Sequence, residues 1–548
     1  MASIDFHALQ NGSDIRGVAI SGVPNEPVNL TEQACSLIAQ GFLVWLCRKT
    51  GKAPEDLTIT AGRDPRLSGE ALLHAFTDAL KPFGVHVMDC GLASTPAMFM
   101  STVFPEIHAD GAVMITASHL PFNRNGLKFF SRDGGLDKKD IAEILNAAEQ
   151  NEQPSAGSHA ETVSETDPAS APDLMELYSA HLQSLICSAV PGEQPLSGLK
   201  IAVDCGNGAG GFYVSKVLEP LGADTSASQF LEPDGHFPNH IPNPENEEAM
   251  AAITSAVKDH HCDLGIIFDT DVDRSSAVDE QGREINRNGI VAMAAALIAD
   301  EHPGTTVVTD SITSNELTDY LENRLHLHHL RFKRGYRNVI NKAAELNASG
   351  TDAQLAIETS GHAAYKENYF LDDGAYLATR IIIRLAQLKR EGREISSMIA
   401  DLKEPEEAVE IRMPITEADH NAAGIAILNA VESWAESASA SKETASADAN
   451  TKATGAEATS AGKETSSHAD SDLQIHLVKP NYEGVRVQFS GAVNGWFLLR
   501  KSLHDPIMPL NIEAEESGGC KRIAEELFQC LKKVTGMDTD KLEAFMHA

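Results

Sequence analysis

Residues 111–126 read GAVMITASHLPFNRNG, an apolar run that passes directly into a polar loop. A short apolar run bounded by turn residues predicts a buried β-strand that ends in a loop. The same pattern recurs in LTITAGRDPRL (57–67), LKIAVDCGNG (199–208), DLGIIFDTDVD (263–273) and TTVVTDSITS (305–314). Helix-like segments such as GEALLHAFTDALKPFG (69–84) and EEAMAAITSAVKDH (247–260) alternate with these strands. This alternation indicates α/β domains built on parallel sheets, whose ligands bind at the carboxyl ends of the strands.

The composition limits the class of protein. At 548 residues the chain is too long for one typical domain and predicts about three or four. Its net charge of −35 would repel nucleic acid, so we expect no nucleic-acid partner. The start MASIDFHALQ does not resemble a signal peptide, and no apolar run reaches the roughly 18 residues of a membrane span. Eight scattered cysteines without a CxxC pair favour reduced, buried thiols in a cytoplasmic protein.

Two segments lack apolar periodicity. Residues 151–172 (NEQPSAGSHAETVSETDPASAP) and residues 435–472, a tract rich in Ala, Ser, Thr, Glu and Lys, contain too few apolar side chains to offset chain entropy. A plausible helix precedes the second tract and a plausible strand follows it. We therefore interpret residues 435–472 as a disordered insertion within the last domain.

Three aspartates alternate in DTDVDR (269–274), directly after the apolar run LGIIF. Hard divalent cations such as Mg²⁺ prefer oxygen ligands, and alternate carboxylates of one loop can converge on one ion. An EF-hand is a poor match because Arg274 occupies the sixth position, where that loop needs glycine. A phosphatase with an aspartate nucleophile and a solvated acidic turn are the alternatives. We predict a metal site formed by Asp269, Asp271 and Asp273.

Other loops carry candidate ligand groups. In ETSGH (358–362), Glu358, Ser360 and His362 offer the mixed donors and acceptors that bind sugar hydroxyls, although an ordinary polar turn would look the same. RKSLHDP (500–506) combines cations with a hydroxyl, which suits a phosphate, and a basic surface turn is its alternative. CGNGAGG (205–211) fits GxGxxG, but we favour a tight strand–helix turn over a dinucleotide site. Arg63 and Arg66 in AGRDPRLSG (61–69) could be structural.

In their order along the chain these motifs resemble those of the α-D-phosphohexomutases, the phosphomannomutase/phosphoglucomutase family. TASHLP with NGLK after it is similar to the family's phosphoserine loop, usually TASHNP, and DTDVDR to its metal loop, often DGDGDR. DIRG, FKRGYRNVI (332–340), ETSGH, RKSLHDP and PDGHFPNHIPNPEN (233–246) extend the resemblance over nearly the whole chain. Several motifs in register are far more specific than any one of them.

The resemblance implies an α/β fold of three related α/β domains with mixed sheets and a smaller C-terminal α+β domain around a central cleft. The implied boundaries are 1–172 for the phosphoserine domain, 173–284 for the metal domain, 285–403 for the sugar domain and 404–548 for the phosphate-binding domain.

The resemblance also implies the chemistry. Ser118 would carry a phosphoryl group and donate it to a hexose monophosphate, giving a hexose 1,6-bisphosphate that turns around before the serine takes back the other phosphate. Mg²⁺ would bind a phosphoserine oxygen of Ser118 and the three aspartates. Lys128 would take the sugar hydroxyl proton if its pKa is lowered. The remaining implied residues are Arg16, His119 and Arg274 around the phosphoserine, and Lys333, Glu358, Ser360, His362, Arg500 and Ser502 on the substrate.

Some residues depart from the family's pattern. Leu120 replaces the usual Asn, Tyr336 stands where many members have His, and RKSLHDP lacks the common SGTEP ending, so that a role for His504 is only a guess. We expect mutase activity on mannose or glucose phosphates. Phosphoglucosamine mutase is the nearest alternative, and a phosphatase using Asp269 or a non-catalytic sugar-phosphate sensor are the others. The sequence predicts a sugar phosphate as small-molecule partner and no membrane partner.

Overall fold

The computed structural model describes residues 4–151, 172–452, 473–502 and 505–548, with side chains described except at 440–452. The chain forms two compact units. The first comprises residues 1–309, 321–330 and 335–401, and the second comprises residues 310–320, 331–334 and 402–548. Most of the predicted flexible segment 151–172 lies outside the described residues.

The first sheet belongs to the N-terminal part of the first unit. Its elements are β1 Gln10–Asn11, β2 Asp14–Val18, α1 Glu32–Thr50, β3 Thr58–Arg63, α2 Gly69–Leu80, β4 His86–Leu92, α3 Thr95–Met100, β5 Gly111–Ile115, β6 Arg124–Ser131, β7 Gly134–Gly135 and α4 Lys138–Glu149. The strand order is β1-β2-β6-β5-β3-β4, with β7 beside β6. Strand β3 is parallel to β4 and β5, whereas β6 is antiparallel to β5 and β2.

Helix α1 shows how the sequence fixes these elements. It begins after Thr31, whose hydroxyl accepts a hydrogen bond from Ala34 N at 3.1 Å, and it ends at Gly51 with φ +72°. Its inner face packs on the sheet through Phe42, whose ring centroid lies 4.7 Å from that of Phe129 on β6.

The second sheet follows the same plan on a smaller scale. Its elements are α5 Leu174–Ala189, β8 Ile201–Asp204, a π-helical turn Tyr213–Leu218, α6 Glu247–His260, β9 Leu264–Phe268, β10 Ser275–Asp279 and β11 Glu284–Ile285. Strands β8 and β9 are parallel, and β10 and β11 continue the sheet in antiparallel fashion. Residues 205–211 form a tight turn after β8, in which Ala209 N donates to Thr270 O at 2.8 Å, so the turn packs against the aspartate loop.

The third sheet repeats the pattern again. Its elements are α7 Asn288–Ala299, β12 Thr306–Thr309, α8 Asn315–Asp319, β13 His328–Arg331, α9 Tyr336–Ala348, β14 Ala353–Ile357, β15 Ala363–Tyr365, β16 Leu371–Asp372 and α10 Gly374–Arg390. The strand order is β13-β12-β14-β15-β16, with β12 parallel to β14 and β15 antiparallel to it.

The three sheets share one local arrangement. A buried strand that has a parallel neighbour (β5, β9 or β14) enters a polar loop, and the next strand (β6, β10 or β15) returns antiparallel to it. The loops are TASHLPFN, DTDVDR and ETSGH, the three that the sequence singles out. In the described loop after β5, residues 119–123 form turns and not a helix, so Ser118 does not begin a helix.

The second unit is an antiparallel sheet with helices. Its C-terminal elements are β17 Glu407–Pro414, α11 His420–Lys452, β18 Gln474–Leu477, β19 Val485–Ser490, β20 Gly495–Leu499, β21 Ile507–Ala514, α12 Gly519–Leu531 and α13 Asp540–His547. The strand order is β17-β21-β20-β19-β18. Three α/β domains with mixed sheets and a smaller C-terminal α+β domain are therefore confirmed.

The second unit is discontinuous in sequence. The guanidinium of Arg486, on β19, is buried and lies 3.6 Å from the centre of the Trp496 ring. It donates to Ser311 O at 3.1 Å, Thr313 O at 3.2 Å and Asn315 Oδ1 at 3.1 Å. Its acceptors thus all come from residues 310–320, which the predicted boundaries assign to the third domain.

The structure corrects two expectations. Helix α11 continues to Lys452, so the prediction of a disordered insertion beginning at residue 435 is wrong for residues 435–452. Alanine, glutamate and lysine favour helix, and Ala435 and Ala438 pack on the core, which extends the helix into the polar tract. Residues 453–472 lie outside the described residues. Five of the eight free cysteines are buried, but Cys187 is exposed.

In the part of the chain that the structure describes, no helix has both the length and the apolar character needed to cross a lipid bilayer.

Candidate active site

Ser118 stands at the turn after β5 in an uncommon backbone conformation, with φ +50°. Its backbone N–H bonds to Thr116 Oγ1 at 2.9 Å, and Arg16 Nη1 donates to Thr116 O at 2.6 Å. Its hydroxyl donates to Asp269 Oδ2 at 2.9 Å and accepts from Arg274 Nη2 at 2.7 Å. The loops after β5 and β9 therefore meet at this hydroxyl.

The aspartate loop brings three carboxylates together. Oxygens of Asp269, Asp271 and Asp273 lie within 4.8 Å of one another, and all three side chains are buried. Val272 between them has φ +69°, which is rare for a β-branched residue and indicates local strain. Burial and the charges of Asp273 and Asp271 raise the pKa of Asp269 well above its ordinary value.

The donor set fits a hard divalent cation. Asp271 Oδ1 and Asp273 Oδ1 are buried without a hydrogen-bond partner among the described residues. An unsatisfied buried carboxylate oxygen is costly, and Mg²⁺ prefers clusters of such oxygens. Thr95, from the start of α3, supports the loop because its backbone N donates to Asp271 O at 2.8 Å and its hydroxyl donates to Asp271 Oδ2 at 2.5 Å.

Lys128, on β6, reaches the same carboxylates. Its ammonium donates to Asp271 Oδ2 at 3.0 Å and also to Asp273 Oδ2. Burial lowers the pKa of Lys128, but the charges of Asp271 and Asp273 outweigh burial and hold the pKa well above its ordinary value. The lowered pKa on which its predicted role as a base depends is therefore not found while these two carboxylates face it.

Arg274 connects three parts of the site. Its Nε donates to Asp269 Oδ2 at 3.1 Å, and its Nη2 lies 2.5 Å from His119 Nδ1. The charge of Arg274 and burial lower the pKa of His119 to about 2, so this imidazole is neutral. The backbones of Arg274 and His362 form an isolated antiparallel β-bridge. A Cβ at Gly374 would lie 2.5 Å from the carbonyl carbon of Arg274, which explains the glycine there.

The ETSGH loop lies beside Arg274. Glu358 Oε1 accepts from Gly335 N at 2.6 Å. The hydroxyl of Ser360 is buried and has no hydrogen-bond partner in the described part of the chain. His362 Nδ1 lies 2.5 Å from Asp372 Oδ2. An acceptor, a hydroxyl and an oriented imidazole thus stand on one five-residue loop, as the recognition of a polyol requires.

Two residues around His362 were not predicted as functional. Asp372, at the end of β16, holds its Nδ1, and the Tyr336 ring stacks on the imidazole with centroids 5.2 Å apart. The Tyr336 hydroxyl donates to Asp14 Oδ1 at 3.1 Å, and Asp14 Oδ2 accepts from Arg16 Nη2 at 2.9 Å. The acidic pair in LDDGA was the available signal for Asp372.

The second unit holds the other predicted residues, Lys333, Arg500 and Ser502. Arg500 is buried, and burial together with the positive charge of Arg334 lowers its pKa. Arg334 N donates to Glu483 Oε2 at 3.2 Å. Ser502 N donates to Ile507 O at 3.0 Å, and Lys333 is exposed. The charges of Arg334 and Arg500 thus affect each other, and two adjacent guanidinium groups can bind an anion. His504 lies outside the described residues.

The structure thus divides the predicted site residues between the two units. In the first unit it brings together Arg16, Ser118, His119, Lys128, Asp269, Asp271, Asp273, Arg274, Glu358, Ser360 and His362. Arg334 is an addition to the set in the second unit, and its neighbour Lys333 in the motif FKRGYRNVI was the signal for it.

Comparison with known proteins adds independent findings. The phosphoglucomutase/phosphomannomutase alpha/beta/alpha domains I, II and III match residues 8–155, 176–282 and 286–405. A phosphomannomutase/phosphoglucomutase of Pseudomonas syringae is 28% identical over 89% of this chain and 91% of that protein. A phosphoglucosamine mutase of Corynebacterium jeikeium is 32% identical over 63% of this chain and 73% of that protein.

A crystal structure extends the likeness in fold. It shows a phosphoglucomutase/phosphomannomutase family protein from Burkholderia thailandensis, with a TM-score of 0.71 over 95% of this chain and 96% of that one. At 22% identity it supports the fold alone.

Proposed function

Because the chain belongs to the phosphoglucomutase/phosphomannomutase family and is a mutase, we propose that it interconverts the 1- and 6-phosphates of mannose or glucose through a phosphoserine at Ser118. One observation carries the assignment of the serine. The Ser118 hydroxyl lies 2.9 Å from an oxygen of Asp269, inside a cluster of three carboxylates, and accepts a hydrogen bond from Arg274.

In the first half of the reaction, phosphoserine 118 donates its phosphoryl group to the free hydroxyl of a hexose monophosphate. The bond between phosphorus and Ser118 Oγ breaks, a bond between phosphorus and the sugar oxygen forms, and the proton of the sugar hydroxyl ends on Ser118 Oγ. The product is a hexose 1,6-bisphosphate. In the second half Ser118 Oγ attacks the other phosphate, its proton moves to the sugar oxygen that is released, and the phosphoserine is restored.

Asp269, Asp271, Asp273 and a phosphoserine oxygen are the proposed ligands of Mg²⁺. When bound, the cation neutralises negative charge on the transferring phosphoryl group. Arg274 and Arg16 bring further positive charge to the Ser118 loop. Lys128 holds a proton at Nζ while Asp271 and Asp273 face it, and it can accept one only when those carboxylates are engaged elsewhere.

The sugar is proposed to bind the ETSGH loop, where Ser360 offers a buried hydroxyl without a protein partner in the described chain and His362 is oriented by Asp372. Lys333, Arg500 and Ser502 are the proposed ligands of the phosphate that is not transferred. A guanidinium binds a phosphate through two hydrogen bonds, which suits Arg500 for this role.

Glucosamine phosphate is the competing substrate, since one relative is named a phosphoglucosamine mutase. A phosphatase with Asp269 as nucleophile has less support. Both Asp269 oxygens accept hydrogen bonds, Oδ1 from Arg274 N and Oδ2 from Arg274 Nε and Ser118 Oγ. That pattern suits a carboxylate that orients its neighbours.

The test is a mutase assay with Mg²⁺ and a trace of hexose 1,6-bisphosphate, with mannose, glucose and glucosamine 1-phosphates offered side by side. We expect 6-phosphates from the first two sugars and a phosphoryl group on Ser118 in the intact-protein mass spectrum. Ser118→Ala should lower kcat by more than about 10³-fold, because it removes the phosphoryl carrier. Ser101→Ala is the matched control, since Ser101 is a buried serine at the end of α3 whose hydroxyl lies 2.6 Å from that of Thr60 on β3.

A preference for glucosamine 1-phosphate would reassign the sugar. Release of inorganic phosphate without isomerisation, unaffected by Ser118→Ala, would contradict the proposal and favour the phosphatase.

A further inference from the structure

The Arg66 side chain donates hydrogen bonds to four carbonyl oxygens of the connection between β5 and β6, which carries Ser118. Its Nη2 donates to Ser118 O and Leu120 O, both at 2.5 Å. Its Nη1 donates to Pro121 O at 2.8 Å and Arg124 O at 3.0 Å. Each terminal nitrogen thus satisfies two carbonyls. One side chain from the turn after β3 therefore organises the whole connection between β5 and β6.

The guanidinium is itself held firmly. Asp64 Oδ1 accepts from Arg66 N at 2.9 Å, and Asp64 Oδ2 lies 3.3 Å from Arg66 Nε. Asp64 Oδ2 also accepts from Thr116 Oγ1 at 2.7 Å, which ties the pair to the beginning of the Ser118 loop. The Phe237 ring lies over the guanidinium, 5.3 Å from its carbon, and the Arg66 side chain is excluded from solvent. Asp64 and Phe237 therefore hold the Arg66 guanidinium in one position against the Ser118 loop.

The hydrogen bonds of Arg66 limit the role that this side chain can have. A guanidinium has four terminal N–H groups, and here all four go to carbonyls, so none remains for a phosphoryl oxygen. Arg66 acts instead on the loop, because it turns four carbonyl dipoles toward itself. Carbonyl oxygens facing a doubly charged phosphoryl group would repel it, and Ser118 needs support for its φ of +50°.

We propose that Arg66 is a positioning residue of the phosphoryl transfer: it directs the carbonyls of residues 118–124 inward, so that the loop can present Ser118 as a phosphoryl carrier. This inference rests on the proposed function of Ser118, and it adds a residue that makes no contact with the substrate. Neither Asp64 nor Phe237 has to touch the substrate either, since both act through Arg66.

The experiment compares Arg66→Lys with wild type and with Arg132→Lys. A lysine keeps the charge, but its ammonium has only three N–H donors on one nitrogen and cannot bond to all four carbonyls. Arg132 is the matched control, because it lies in the turn directly after β6 and also bonds to two loop carbonyls, Ala109 O at 3.1 Å and His108 O at 2.7 Å. Each protein is measured for kcat and KM, and for amide hydrogen exchange over residues 116–126.

For Arg66→Lys we expect kcat to fall about 10- to 100-fold with KM changed less than about threefold, since a nucleophile misplaced by about 1 Å loses rate more than binding. Exchange of the amides of 116–126 should accelerate at least about tenfold, because their loop opens more often. Arg132→Lys should leave kcat and the exchange of this loop unchanged. Phe237→Leu, a milder change, should shift exchange in the same direction and covers the case in which Arg66→Lys does not fold.

The outcomes separate the two proposals. Unchanged exchange and kcat in Arg66→Lys, an equal loss in Arg132→Lys, or an effect on KM alone would overturn the positioning role. Wild-type protein that is neither a mutase nor phosphorylated on Ser118 would overturn the proposed function. The exchange of 116–126 would still report whether Arg66 holds the loop.

Discussion

At the scale of single residues, the loops after β5, β9 and β14 combine backbone strain with unpaired buried polar atoms. Ser118 and Val272 both have positive φ values, and Asp271, Asp273 and Ser360 each keep a buried oxygen without a partner in the described chain. Such features are costly in a folded protein and persist where function requires them. Their occurrence together in these three loops supports the proposed site for a cation and a polyhydroxylated ligand.

His362 provides a prediction at this scale. Burial lowers its pKa, but the charges of Asp372 and Asp273 outweigh burial and raise the pKa to about 9. The imidazolium is therefore kept to a higher pH than an ordinary histidine allows, and it is lost only as the pH rises through about 9. At neutral pH it can donate a proton in a hydrogen bond to a sugar oxygen.

Asp372→Asn removes one of the two charges but keeps the side-chain shape, so we expect the pKa of His362 to fall toward its ordinary value of about 6.5. The KM for the sugar phosphate should then rise about tenfold at pH 8 and change little at pH 6, where both proteins carry the imidazolium. KM measured against pH for both proteins decides this. Asp352→Asn, at an exposed position before the neighbouring strand β14, should leave the profile unchanged, and a rise in KM that is equal at both pH values would refute the explanation.

At the scale of elements, the sequence anticipates the strands and loops better than their partners. An apolar run followed by a polar loop reveals β5, β9 and β14, because burial imposes that pattern locally. Lys128 contacts Asp271 and Asp273, which lie 143 and 145 residues further along the chain, and no local pattern encodes the resulting pKa shift. The length of α11 was not predicted, because the helix propensity of its alanine, glutamate and lysine residues outweighed the low hydrophobicity of the segment.

The packing of α1 on α4 gives a prediction for an element. A Cβ added at Gly41 would lie 2.4 Å from Ile144 O, and that neighbour is backbone and cannot swing away. Gly41→Ala should therefore lower the free energy of unfolding by roughly 1–3 kcal/mol, although alanine is the better helix former by about 1 kcal/mol. Gly289→Ala in α7 is the control, because its new Cβ would meet nothing closer than 3.9 Å. Thermal unfolding should separate the two signs, and a stabilised Gly41→Ala would show that the helices can move apart.

At the scale of the whole molecule, the second unit is assembled from separate stretches of chain. Arg486 comes from residues 402–548, whereas its acceptors come from residues 310–320. In the full chain the buried guanidinium is stacked on Trp496 and donates three hydrogen bonds to residues 310–320. In a fragment cut at residue 402 it would be deprived of those acceptors.

Arg486→Met should therefore have opposite effects in the two contexts. In the full chain it removes the hydrogen bonds to Ser311 O, Thr313 O and Asn315 Oδ1, of which the last two still accept from Arg331, and we expect a loss of about 1–3 kcal/mol in unfolding free energy. In the isolated fragment 402–548 it removes a buried charge without partners, and we expect a gain in stability. Urea unfolding of the four proteins, followed by circular dichroism, tests this, and effects of equal sign would show that Arg486 does not depend on residues 310–320.

The discontinuity of the second unit also means that its parts are synthesised at different times. On a ribosome that adds about 5–20 residues per second, residue 486 appears on the order of 10 to 30 s after residues 310–334. During that interval Ser311 O, Thr313 O and Asn315 Oδ1 lack their hydrogen bonds from Arg486, although Arg331 can already donate to Thr313 O and Asn315 Oδ1. The third sheet is complete in sequence once residue 372 has been made. Residues 310–320 are therefore made long before the domain that completes their unit, and newborn chains pass through a stage in which the ETSGH loop exists but the domain carrying Arg500 does not.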